Sequence, residues 1–379
     1  MHLNINQQAK FGSYNSEDVI FLLKNLNGIL LEGPTEEREK KIQSGAHYSE
    51  TLPIEYNPPE HYLQLFWKTL HVYKDKVALS TAVVAEQIYR KHGKQTVLVS
   101  LARAGTPIGI LIKRYIKEKY HVSLPHYSIS IIRDRGIDEN AIKYILKSHK
   151  ESAIQFIDGW TGKGAISIEL TKACESFFNK YQVQLDDTLA VLADPGYCTT
   201  LYGTREDFLI PSACLNSTVS GLVSRTVLNE RYIQMDDFHG AKYYQELEPY
   251  DVSNIYLDEI TEALQKINPK QVVERMNENL LDQSVDFRGM KEVLAIKDEF
   301  QIESTHYVKP GVGETTRVLL RRIPWKILMK DPDSPYVQHI VMLAKERGVE
   351  IIPYPHMSYT CCGLIKKVVQ KGRNYLHLT

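Results

Sequence analysis

The sequence predicts an α/β protein: a mainly parallel sheet flanked by helices, followed by a small α/β sandwich. Three observations lead there. From Gln95 to Ala193, short β-type runs alternate with amphipathic stretches, the pattern of parallel strands joined by crossover helices. Two of those runs end in glycine-containing turns that open helices, Ala102-Arg-Ala-Gly105 and Asp158-Gly-Trp-Thr-Gly-Lys-Gly164. The charge balance also changes near the end. Thr305–Thr379 carries 12 Lys+Arg against 5 Asp+Glu, although the whole chain has 46 of each.

Residues 1–60 are polar, and an N-terminal helical extension is expected there, with Ser16 capping a helix over Glu17–Leu26. Pro53, Pro58 and Pro59 keep the next stretch extended. Residues 61–285 form the first domain. Two amphipathic helices are predicted near His61–Tyr73 and Val77–His92. Strands follow at Gln95–Ser100, Pro125–Ile132, Ala153–Ile157 and Thr188–Ala193. Helices lie between them: one capped by Thr106, with Pro107 at its first position, to about Lys119; Glu139–His149; and Lys163–Tyr181. Asp194–Tyr256 is dense in Ser, Thr and Asn, which suits either the lining of a polar pocket or caps and turns over a sheet edge. A long helix is expected from Tyr256 to about Asn279, then a linker near Leu280–Arg288.

Residues 300–379 form the second domain. A glycine turn opens a helix bearing Arg317, Arg321 and Arg322, with Arg317 and Arg321 one turn apart on one face. A strand, a helix over Tyr336–Arg347, a strand over Val349–Tyr354 and a third helix over Thr360–Val369 complete it.

The composition is that of a folded, water-exposed protein: 43% hydrophobic and 24% charged residues. No apolar run is long enough to span a membrane, and the first residues carry no signal-peptide core. The five cysteines are scattered without zinc spacing, which suggests reduced thiols and a cytoplasmic setting. No membrane partner is expected, the metal ligands stay undefined, and a homo-oligomer stays open. Gly162-Lys163 lacks the following Ser/Thr of a Walker A loop, and no Gly-x-Gly-x-x-Gly dinucleotide turn occurs.

A strand, an acid, a glycine loop and a helix N-terminus in that order suit a sugar phosphate: backbone amides meet the phosphate and the acid meets ribose hydroxyls. The two loops resemble those of type I phosphoribosyltransferases. The resemblance implies a phosphoribosyltransferase-like fold and a transfer of phosphoribosyl from phosphoribosyl pyrophosphate (PRPP) to a base-like acceptor, with Mg²⁺ bound alongside PRPP. Asp158 and Arg103 would be the catalytic pair. Ala102, Arg103, Ala104 and Gly105 would hold pyrophosphate, helped by Arg133 and Arg135. Asp158, Gly159, Thr161, Gly162, Lys163 and Gly164 would hold the ribose and its 5′-phosphate. Gly159 stands where that family usually has a second acid.

Gly311-Val-Gly-Glu-Thr-Thr-Arg317 resembles the RNA-contacting segment of the pelota/ribosomal-protein family. The resemblance implies binding of RNA, of kink-turn type, through Gly311, Gly313, Glu314, Arg317 and Arg321. Arg317 would meet phosphate and Glu314 a base edge. Over nearly its full length the chain is similar to the bacterial StiP family, through His47-Tyr-Ser-Glu50, Ser130–Asp138 and Ser220-Gly-Leu-Val-Ser-Arg-Thr226. That family combines the two domain types, is labelled a cysteine protease, and is associated with tellurium resistance and stress response. Three functions follow: the transferase; a non-catalytic, nucleotide-sensing RNA-binding regulator; and a cysteine peptidase using Cys198 or Cys214 with His239, near Asp236 or Asp237.

Overall fold

A parallel strand covered on both faces must be apolar on both, and Thr96–Leu101 is buried at all six positions. In the computed structural model, which describes residues 11–34, 37–38, 41–42 and 44–365, this strand lies inside a six-stranded sheet. The strands are β1 (Ile20–Phe21), β2 (Thr96–Leu101), β3 (His126–Ile129), β4 (Ala153–Trp160), β5 (Ala190–Ala193) and β6 (Leu201–Thr204). Their order is β1-β3-β2-β4-β5-β6, and all neighbours are parallel.

Helix α1 (Glu60–His92) is one 33-residue element where the sequence suggested two. Lys74-Asp75-Lys76 carries no breaker, and Lys74 instead pairs with Glu259 at 2.8 Å. Helix α2 (Gly105–Tyr120) packs with α1 on one face of the sheet. Helices α3 (Glu139–Ser148) and α4 (Ala165–Tyr181) cover the other, where Ile142, Ile145, Leu170 and Phe177 meet Val97, Val99 and Phe156. Asp138 caps α3 by accepting from Ala141 N at 3.0 Å. Under α2 the interface is polar: Ser100 Oγ lies 2.8 Å from His126 Nε2, and Thr106 Oγ1 2.8 Å from Ser128 Oγ. Gly109 permits that approach, since a Cβ there would lie 2.1 Å from Ser100 Oγ.

The helix expected over Glu17–Leu26 is not formed. Val19, Phe21, Leu22, Leu23 and Leu26 are buried along an extended path, and β1 pairs with Tyr127–Ser128. Asp18 is held by Arg114 at 2.7 Å, so tertiary partners override the local helical pattern. The helix expected from Tyr256 onward is two: α5 (Ser253–Gln265) and α6 (Pro269–Leu281). Asn268 caps the second and Pro269 opens it.

Two compact units divide the chain, Met1–Arg288 and Gly289–Thr379. The second contains α7 (Arg288–Glu299), β7 (Val308–Pro310), α8 (Val312–Arg321), β8 (Pro324–Met329), α9 (Gln338–Glu346), β9 (Glu350–Pro353) and β10 (Cys361–Ile365). Its sheet runs β7-β10-β8-β9, with α8 and α9 packed against it and each other. The segment expected as a third helix is the central strand β10, up to residue 365; the remainder of that segment lies outside the described residues. Two flanking strands draw Cys361 and Cys362 into antiparallel pairing, and Gly363 lies close beneath Val318 of α8.

Candidate functional site

Ligand sites in open parallel sheets lie beyond the carboxyl ends of the strands. Here that edge gathers the Ala102–Gly105 turn after β2, Asp158 near the end of β4, and Asp194 after β5. The first two stand side by side as expected. A Cβ on Gly105 would lie 2.3 Å from Ile157 O, so backbone approach requires that glycine, and one on Gly159 would sit tightly, 3.3 Å from Ala104 O. The Ala102–Arg103 peptide is cis. Arg103 donates from Nη1 to Val223 O at 3.1 Å, which joins this turn to the Ser220–Thr226 segment. The carboxylate of Asp158 accepts from Gly159 N at 2.7 Å, and burial pushes its pKa up to about 7.

The loop after β4 is covered by the protein itself. The Thr161 hydroxyl donates to the Asp194 carboxylate. Asp194 also accepts from Cys198 N at 2.9 Å, from Thr199 N at 3.1 Å and from Arg205. Burial lifts its carboxyl to about 6 against the pull of those donors. Cys198 Sγ sits 3.7 Å from Gly162 O. Gly164 has φ 75°, and a Cβ on it would lie 2.6 Å from the Phe287 ring and 2.9 Å from Cys198 Sγ. Phe287 N donates to Tyr197 O at 3.1 Å, and Arg288 stacks 3.5 Å over the Tyr197 ring. Lys163 extends from the same loop, between these packed glycines.

Arg133 and Arg135 are exposed on the turn after β3. Arg135 pairs with Glu50 at 2.8 Å, and the Arg133 amide donates to Tyr48 Oη at 3.0 Å. The His47–Glu50 and Ser130–Asp138 segments therefore meet. Sequence reasoning missed Arg225. The residue is exposed as a whole, yet surrounding protein desolvates its charged group and, with the nearby charge of Arg38, depresses its pKa. Among the described residues no carboxylate forms an ion pair with it. The Ser-Arg-Thr stretch was the signal in the sequence, and only packing brings Arg225 beside Arg38.

All five cysteines are buried. Burial raises Cys174 and Cys198 to about 12, the latter also through the charge of Asp194. Cys214 Sγ lies 3.6 Å from Thr69 Oγ1 of α1. His239 Nδ1 lies 2.9 Å from Ser130 Oγ, and its amide donates to Asp138 at 2.6 Å. The structure thus gives His239 a serine partner, and Cys198 the Thr161–Gly164 loop. Among the described residues, no group of three or more His, Cys, Asp or Glu is placed to hold a metal ion.

In the second unit, Gly311 adopts φ 88° ahead of α8, and its amide donates to Cys361 O at 2.8 Å. Gly313 and Glu314 lie in the first turn. Glu314 pairs with Arg317 at 3.1 Å and with Lys309 at 4.0 Å. Arg321 ends the helix. The expected basic helix start is present, with Glu314 directed at its own cations.

Fold and edge define a two-domain protein: a parallel α/β domain with a thiol and two acids at its carboxyl edge, and a small basic α/β domain. The chain belongs to the StiP family. Residues 12–261 match the family described as "Tellurite-like stress resistance cysteine protease StiP", and residues 287–367 match the PELOTA RNA binding domain. It is similar to the "Cysteine protease StiP" of Acinetobacter baylyi, with 33% identity over 379 residues covering 96% of each chain. This corrects the expected activity. The family is described as a cysteine protease, a hydrolase, and not as a glycosyltransferase, so the phosphoribosyltransferase function drawn from the loops does not stand. The physical reason the loops misled is visible at Thr161: the hydroxyl expected to meet phosphate is committed to Asp194.

Proposed function

We propose that this chain is a thiol-dependent peptidase of the stress response, with Cys198 as nucleophile and a C-terminal domain that binds RNA. Family membership supports the reaction class. The observation that carries the assignment is the place of Cys198, at the carboxyl edge of the sheet against the Gly162–Gly164 loop. Cys174 lies within α4, and Cys214 packs against α1. A thiol at about 12 beside a carboxylate at about 6 keeps its proton, so the resting enzyme is latent. Attack on a scissile carbonyl requires displacement of the loop and of Phe287, after which Asp194 is the titratable neighbour that accepts the proton. For the second domain, a helix N-terminus flanked by Lys309 and Arg317 suits an RNA backbone.

The test is turnover of unfolded protein substrates with iodoacetamide inhibition, in the parent and in Cys198→Ala and Cys214→Ala. Loss of turnover in Cys198→Ala alone supports the assignment. Loss in Cys214→Ala alone, or full activity in both, overturns it. A strain lacking the gene should regain tellurite tolerance from the parent and not from Cys198→Ala.

One observation favours a second reading, a nucleotide-sensing regulator without catalysis. Arg225 offers a cation, unpaired among the described residues, to an anion on the same domain. Calorimetry with nucleotides on the parent and Arg225→Gln separates the two.

A further inference from the structure

The carboxyl end of α8 carries a second cationic feature, remote from the Gly311–Arg317 turn. A shallow groove of about 560 Å³ is lined by Arg322, Ile323, Pro324, Trp325, Arg347 and Val349. Arg347 donates to the carbonyls of Leu320 and Arg322, both at 3.4 Å, so its charge is fixed against the negative end of the helix. Arg322 is exposed and Trp325 half-buried. The Phe300 ring meets Trp325 edge-on, at 6.3 Å and 90°, which sets the plane of the indole. Lys326 Nζ lies 5.6 Å from the same ring and pairs with Glu350 at 2.9 Å. Ile323 is 55% exposed, an apolar wall beside two arginines.

We propose that this groove binds single-stranded RNA, with a base stacked on Trp325 and its phosphates against Arg322 and Arg347. The proposal rests on the RNA-binding reading of this domain and adds a separate contact to it. The charge and ring chemistry select the occupant. An oriented aromatic flanked by two arginines is how proteins take unpaired nucleotides without sequence preference, by stacking plus backbone neutralisation. A protein partner would sooner find carboxylates or a larger apolar area there. The ten-residue helix α8 separates the groove from Gly311 by about 15 Å at ~1.5 Å per residue. One RNA therefore reaches both when an unpaired strand leaves a structured element.

The experiment uses the full chain and two RNAs: a kink-turn hairpin, and the same hairpin with an unpaired tail of about eight nucleotides, within the usual span of a single-strand site. The readout is the ratio of the two affinities at one salt concentration, which cancels the contribution of the shared hairpin. The tail should tighten binding roughly tenfold, as one stacked base does. Arg322→Gln and Trp325→Leu should each reduce that ratio toward one, with circular dichroism confirming the fold. An iodouridine tail should crosslink to the Trp325 peptide under ultraviolet light. A parent ratio of one, or a tenfold ratio kept in both variants, overturns the groove. Failure of the tailless hairpin to bind at low salt overturns the RNA reading itself. Tail-dependent crosslinks confined to the first unit would place the unpaired strand elsewhere and also overturn the groove.

Discussion

Thr161 donates its hydroxyl to the carboxylate of Asp194, linking the end of β4 to the end of β5. Asp194 is wholly buried and also gathers two backbone amides and Arg205. It is the tie that shapes the Cys198 turn. Asp194→Ala would leave Arg205 without its buried partner and cost about 3–5 kcal/mol of stability. Thr161→Val should cost less, about 1–3 kcal/mol, because one of several donors is lost. Urea unfolding of both variants measures the order.

Asp158 makes stability fall as pH rises. Its folded pKa, about 7, exceeds the ordinary carboxyl value near 4, so between those limits the folded chain keeps a proton that the unfolded chain has lost. Its contribution is full below about pH 4 and is lost as pH rises through about 7. Asp194 acts in the same direction over a narrower window. Asp158→Asn should flatten the slope and be more stable than the parent at pH 8, by on the order of 3 kcal/mol. Unfolding curves at pH 5 and pH 8 compare the two.

Gly109→Ala should destabilise the first domain by about 1–3 kcal/mol. The added methyl would press on Ser100 Oγ and on His126 Nε2, 2.4 Å away, both wholly or almost wholly buried in the α2 interface. A lowered thermal midpoint, with the second domain's transition unchanged, is the expected calorimetric result.

Arg317→Ala should weaken binding to all RNAs and reduce the salt slope by about one, the signature of a lost phosphate contact. Glu314 pairs with Arg317 and Lys309, so Glu314→Gln releases two cations. It should tighten binding to plain duplex RNA and narrow the preference for a kinked one. Gel-shift titrations over a salt series check both variants.

The alternation of strands and helices after Gln95 was legible because a parallel sheet writes its burial into continuous apolar runs. So were the meeting of the Ala102–Gly105 turn with the end of β4 and the glycine turn before α8, since each depends on a local motif. The extended path of Val19–Leu26 was not legible: its spacing fits a helix, and only the distant partners Arg114 and Tyr127 decide otherwise. Cys361–Ile365 misled likewise, because its strand identity comes from neighbours on both sides. The transferase reading failed at a finer level. A loop's sequence states which donors exist and not what they already bind, and Asp194 lies thirty-three residues beyond Thr161.

Phe287 is wedged on Gly164 by its ring and tied to Tyr197 by its amide, and α7 begins at the very next residue. Both contacts belong to the Thr161–Gly164 and Tyr197–Cys198 turns at the carboxyl edge of the sheet. One aromatic side chain thus fills the space that a Cβ at position 164 would need, and any larger residue there would have to displace that ring before it could reach the thiol of Cys198.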